Sequence, residues 1–131
     1  KMTDQEYTQL LSVAENELEN VKEMLFLYVK KMREKRLSEG DMIAEFITDS
    51  MLKEMVIEEL EQPLSNFYIL KKMYYHNPTE KRAKLRNQFD INDLLEKIDE
   101  VKNQIMKELK DDFGFTEQKI EFVIQERKDG F

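Results

Sequence analysis

The chain has no cysteine, no tryptophan, one histidine, two prolines and three glycines. Without cysteine there is no disulfide scaffold, no thiol nucleophile and no thiolate-ligated zinc. A single histidine also excludes di-iron sites that need two Glu-x-x-His pairs. Three glycines are too few for the many tight turns of a sandwich or barrel, and none stands in a phosphate-cradling loop, so P-loop and dinucleotide folds are excluded. No run approaches the roughly eighteen apolar residues of a membrane span, and Lys1-Met2-Thr3-Asp4 has no signal-peptide pattern. The expectation is a soluble, cytoplasmic protein with no membrane partner.

What is present is helical pattern. Of 131 residues, 40% are hydrophobic and 37% charged, enough apolar side chain for one core beneath a charged skin. Tyr7, Leu11, Ala14, Leu18, Val21, Leu25, Tyr28 and Met32 alternate at spacings of four and three. This predicts one long helix over about 3–37 with a heptad seam. Thr3 and Glu6 make a capping box, Met2 and Tyr7 a hydrophobic staple, and Gly40 a left-handed stop after the basic turns Lys30–Arg36. Residues 41–62 plot with no polar face. Thr48-Asp49-Ser50 would break them into two short helices, although one helix stays open. Pro63 ends or kinks that segment, and a helix over 64–76 follows with Phe67, Leu70 and Tyr74 on one stripe. Asn77-Pro78-Thr79-Glu80 reads as the N-cap of a short helix over 78–88, with Leu85 and Phe89 facing inward. Helices over 90–112 and 116–128, the second capped by Thr116, form an αα-hairpin. The fold class is all-α: one helical-bundle domain over 1–131.

The net charge of −7 is segregated, with residues 41–62 summing to −6 and 63–89 to +5. Oppositely charged helices lying side by side would account for this. A sharper reading takes Asp41, Glu45, Asp49, Glu58, Glu59 and Glu61 as an acidic face that mimics nucleic-acid phosphates toward a basic partner. Tyr68, Lys71, Lys72 and Tyr75 fall within about 100° of helical arc, where aromatics could stack bases while the lysines neutralise phosphates. The alternative is a solvated face, and the overall acidity disfavours nucleic acid as a partner. His76 suits a surface or capping role better than that of a general base. Ser12, Ser38, Ser50 and Ser65 lie in no nucleophile elbow, and Glu117-x-Lys119 lacks the strand context of a nuclease.

Glu58/Glu61 and Glu96/Asp99 are carboxylate pairs at i, i+3 on two helices. Brought together, four carboxylates could hold magnesium and orient a water against a phosphate. The spacing resembles the acidic motifs of the all-α nucleoside triphosphate pyrophosphohydrolases, and that resemblance implies magnesium-dependent nucleotide hydrolysis.

The reading favoured by the residues themselves is non-enzymatic, with no catalytic residue, metal or cofactor. The six consecutive apolar residues Met24–Val29, and the apolar 41–57 stretch after them, exceed what a small bundle can cover on its own. Part of that surface is therefore expected to bind another protein, or a second copy in a homo-oligomer. Phe26, Phe46, Met51, Met55 and Phe122 are the anchors this reading selects. Inhibitors and adaptors encoded by bacteriophage and mobile elements are of this type, which is analogy.

Overall fold

The computed structural model describes residues 1–44, 50, 54 and 56–130, without the side chains of 56, 57 and 59. Thr3 opens helix α1 (Asp4–Ser38): its hydroxyl accepts from the Glu6 backbone N–H at 3.1 Å and donates to the Glu6 carboxylate at 3.0 Å. Gly40, at φ +82°, turns the chain out of α1. Thirty-five residues make a rod about 52 Å long. Seven of the eight seam residues, from Tyr7 through Tyr28, are buried, and Met32 is half-buried.

That seam is filled from within the chain. Its partner is α4 (Ile91–Phe113), whose Ile91, Leu94, Ile98, Ile105, Met106 and Leu109 are buried in the same core. Three polar contacts give the direction. Tyr7 Oη donates to the Phe89 carbonyl at 3.0 Å, Lys102 pairs with Glu17 at 3.2 Å, and Tyr28 Oη donates to Asp112 at 3.0 Å. The sequence offset is nearly constant, so α1 and α4 run parallel. Each buried Leu or Ile stabilises by about 2 kcal/mol, whereas an exposed ion pair contributes about 0–1. Side-chain packing therefore sets this register and the polar contacts trim it.

Parallel neighbours need a return path, and α2 (Gln62–His76) supplies it. The Val56–Glu61 segment is a widened, π-type turn that passes directly into α2. Pro63, which the sequence reads as ending or kinking the segment, lies in the first turn of α2, where the π-type turn gives way to regular α-helix; the helical path changes type there and continues. Contacts from Tyr74 to Asp4 and from Lys71 to Glu15 show that α2 runs antiparallel to α1. Phe67, Leu70 and Tyr74 are its buried stripe, as their spacing predicts.

The 78–88 helix is shorter than its signals suggest. Asn77 does not cap it: the Asn77 amide donates back to the Met73 carbonyl at 2.8 Å, closing α2 instead. Pro78 leads into a single 3₁₀ turn, Thr79–Lys81, and α3 spans only Arg82–Gln88. The Asx side chain had two helix ends within reach, and the one with free carbonyls took it. Asp90 caps α4, and Gly114 (φ +67°) ends it. Thr116 then caps α5 (Glu117–Lys128), which turns back along α1 and α4 as the second arm of a hairpin. Arg127 binds Glu23 and its guanidinium lies over the Phe26 ring. The described residues are helical with no strand. Whether 41–62 holds one helix or two lies outside the described residues.

Candidate interaction surface

The expected excess of apolar surface at Met24–Val29 is not found there. Met24, Leu25, Leu27, Tyr28 and Val29 are buried, and Phe26 is half-buried beneath Arg127. The reason is geometric: α1 runs through the middle of the bundle, with α4 on its seam and α2 and α5 on other sides, so it is covered on more than one face.

The exposed apolar side chains lie elsewhere. Among the described residues nine large hydrophobics are exposed, and four of them fall in eight residues of α2: Tyr68 (56%), Ile69 (53%), Met73 (40%) and Tyr75 (46%). Scattered exposed hydrophobics are ordinary, whereas four on the outward side of one helix make it the candidate surface. At 100° per residue these four flank Lys72 and His76, both exposed, opposite the buried stripe. Ile69 also borders a groove of about 280 Å³ between α2 and the start of α4, with Leu70, Phe89 and Leu94 as its apolar lining and Asp93 and Lys97 at its rim.

A buried-edge polar network fixes the C-terminal end of this face. Tyr74 Oη donates to Asp4 at 2.6 Å and accepts from Arg86 at 2.8 Å. Arg82 donates to both Asp4 oxygens at 3.2 Å and, through Nε, to the carbonyls of Tyr74 and Asn77. The Tyr74 hydroxyl above all, then the Arg82 guanidinium and Arg86, hold the Asp4 carboxyl below its usual range against the opposing effect of burial. Burial, joined by the hydrogen bond to Asp4, pushes the Tyr74 phenol up. Arg82 also lies over the rings of Tyr74 and Tyr75, which orients Tyr75 on the exposed side. No sequence motif announces this network. The net positive charge of residues 63–89 is the one sequence feature that bears on it.

The residues singled out in the sequence are dispersed. Tyr68, Lys72 and Tyr75 share the exposed face of α2. Lys71 leaves it, paired with Glu15 at 3.0 Å and lying over the Phe67 ring. Phe122 is exposed on α5 with Lys119 over its ring, on a different part of the molecule from α2. Asp41 is half-buried and accepts from the Ile43 N–H at 3.1 Å, while Glu58 and Glu61 are exposed. Phe46, Met51, Met55, Glu45 and Asp49, and the side chain of Glu59, lie outside the described residues. Leu37, Met42 and Ile43 form a second exposed apolar group at the end of α1. The metal cluster that hydrolysis would need does not form from Glu58, Glu61, Glu96 and Asp99: among the described residues no three acidic or histidine side chains converge. None of the described helices is long and apolar enough to cross a membrane. Compared with known proteins, the chain matches no family, no curated protein and no solved structure.

Proposed function

We propose that this protein is a non-enzymatic interaction module that binds a partner protein through the outward face of α2. The observation that carries this is a helix apolar on both sides. Phe67, Leu70 and Tyr74 face the core, and Tyr68, Ile69, Met73 and Tyr75 face solvent. A helix with that distribution gains free energy from cover on both sides, and the described residues cover one.

The test separates contact surface from structural surface. Because Ile69 and Met73 are only half covered, a variant carrying Ile69→Ser and Met73→Ser should keep its helical circular dichroism, with a loss of stability of about 2 kcal/mol that leaves the chain folded. The same variant should lose most of the fluorescence that a hydrophobic dye gains on the parent chain. A parent chain that gives no dye signal, or a variant that unfolds, removes the reading.

A further inference from the structure

The charge distribution on the α2 face narrows the kind of partner, given that this face is a docking surface at all. Lys72 stands at the centre of the strip, between Tyr68 and Tyr75 on one flank and Ile69 and Met73 on the other. It is exposed and its side chain makes no ion pair or hydrogen bond among the described residues, whereas its neighbour Lys71 is neutralised by Glu15. Beyond the end of the strip, Lys81 and Lys84 are also exposed, with no ion pair among the described residues, on the turn and helix that Arg82 ties to Tyr75. Negative charge is present nearby, as Glu80 on that turn and as Asp90 and Asp93 on the α4 side of the groove. There Asp90 is occupied in capping α4, and Lys97 stands beside Asp93.

A central cation inside an apolar strip constrains what can cover it. A second copy packed face to face with its twofold axis at the midpoint of the strip would bring Lys72 against Lys72, and like charges in a closing apolar contact repel. A carboxylate at the matching position instead exchanges water for a charge-assisted hydrogen bond. We infer that the α2 face takes an acidic amphipathic helix from another protein, with apolar side chains at i, i+3 or i+4, and i+7 seated on Tyr68, Ile69, Met73 and Tyr75, and with a carboxylate on Lys72. Recognition would follow the helix-in-groove mode, in which apolar anchors hold the partner and the rim charge selects it.

The full chain is used to select binders from a displayed library of helical peptides about four turns long, with all surface positions randomised. Enriched peptides are then measured by fluorescence anisotropy. The expected result is peptides with an apolar stripe and an excess of Asp and Glu. Their binding should weaken by about tenfold or more in Lys72→Glu and in the Ile69→Ser, Met73→Ser variant, and it should recover for Lys72→Arg. Circular dichroism unchanged from the parent and a single cooperative melt, completed well above the assay temperature, certify the fold of each variant. Peptides that need Ile69 and Met73 but bind Lys72→Glu within twofold of the parent overturn the acidic partner and leave the docking face standing. Peptides indifferent to Ile69 and Met73, or no enrichment at all, overturn both. A dimer of the chain in light scattering that Ile69→Ser, Met73→Ser abolishes assigns the face to a second copy and overturns the inference. So does salt-sensitive binding of a labelled oligothymidylate that Lys72→Glu removes, which would assign the face to single-stranded nucleic acid.

Discussion

Tyr74 joins three helices through one side chain, and Tyr74→Phe isolates what its hydroxyl contributes. The ring is fully buried, 4.6 Å from the Tyr7 ring between centroids, and both that contact and the stripe with Phe67 and Leu70 survive the substitution. What is lost is a 2.6 Å bond to an ionised carboxylate and a 2.8 Å bond from Arg86. Arg86 keeps Asp4 as a partner at 3.6 Å, and Asp4 keeps Arg82. A hydrogen bond to a charged group contributes about 1.5–3 kcal/mol, so the expected cost is about 2 kcal/mol, or roughly 6 °C in Tm for a chain of this size. Urea unfolding followed at 222 nm measures it. Asp4→Asn removes the ion pairs as well and should cost at least as much. Its pH dependence has a defined sign. The Asp4 carboxyl is lowered in the folded state, so its contribution is complete above the usual carboxylate value and fades as pH falls through the lowered one. The stability gap between the parent chain and Asp4→Asn should be flat from neutral pH to about 5 and should close below about 4. A Tyr74→Phe cost under about 0.5 kcal/mol, or a gap that widens on acidification, refutes the role given to this network.

Two further outcomes follow from single residues. Gly114 is left-handed at φ +67° with open space where a Cβ would sit, so Gly114→Ala should cost about 1 kcal/mol through backbone conformation alone, and Gly114→Asn less; a neutral Gly114→Ala in urea unfolding contradicts this. Burial pushes the phenols of Tyr7 and Tyr28 up to about 12, Tyr28 with help from its bond to Asp112. Groups raised in this way stabilise fully below the ordinary phenol value of 10.0 and lose that contribution as pH rises toward 12. Stability should fall through that window, and more gently in a Tyr7→Phe, Tyr28→Phe variant, with ultraviolet absorbance at 295 nm reporting tyrosinate.

The architecture was legible where spacing and caps agreed. Seven of the eight seam residues of α1 are buried, and Thr3, Thr116 and Gly40 act where the sequence places them, because each of those signals depends only on residues within a turn of it. Two things were not legible. The destination of the apolar run Met24–Val29 depends on how many helices surround α1, which is a property of packing order, and a heptad seam looks the same whether its partner is α4 or another chain. Asn77 could satisfy the end of one helix or the start of the next from the same position, and local pattern does not rank those bonds. Of the surface itself, Tyr68, Lys72 and Tyr75 were visible as a helical arc. Ile69 and Met73 were not singled out, although the stripe of Phe67, Leu70 and Tyr74 already placed them off the core face, because how much of a flanking side chain a neighbouring helix covers is set by packing and not by spacing.

The contrast between α4 and α2 bears on how strongly the face can bind. Outside its buried stripe, α4 carries Asn92, Asp93, Glu96, Lys97, Glu100 and Lys107, all exposed, as a helix does when water is its only neighbour on that side. In α2 the corresponding positions hold Tyr68, Ile69, Met73 and Tyr75, each already half covered. Completing their burial gains about 1 kcal/mol apiece, and a partner helix contributes a similar amount, so the gross gain is about 8 kcal/mol. Association itself costs at least about 4 kcal/mol, leaving roughly 4, which corresponds to a Kd near millimolar. A partner that binds at micromolar strength must therefore use more than the ridge, and the adjacent apolar surface is the groove lined by Ile69, Phe89 and Leu94. Asn66 stands exposed in the lining of that groove, outside the core, and accepts only an exposed hydrogen bond from Gln62 at 2.9 Å, so Asn66→Trp would obstruct the groove with a change in Tm of no more than about 2 °C. For a helix bound at micromolar strength the expected loss is tenfold or more, and an affinity unchanged by Asn66→Trp would confine the partner to the ridge and contradict the area argument.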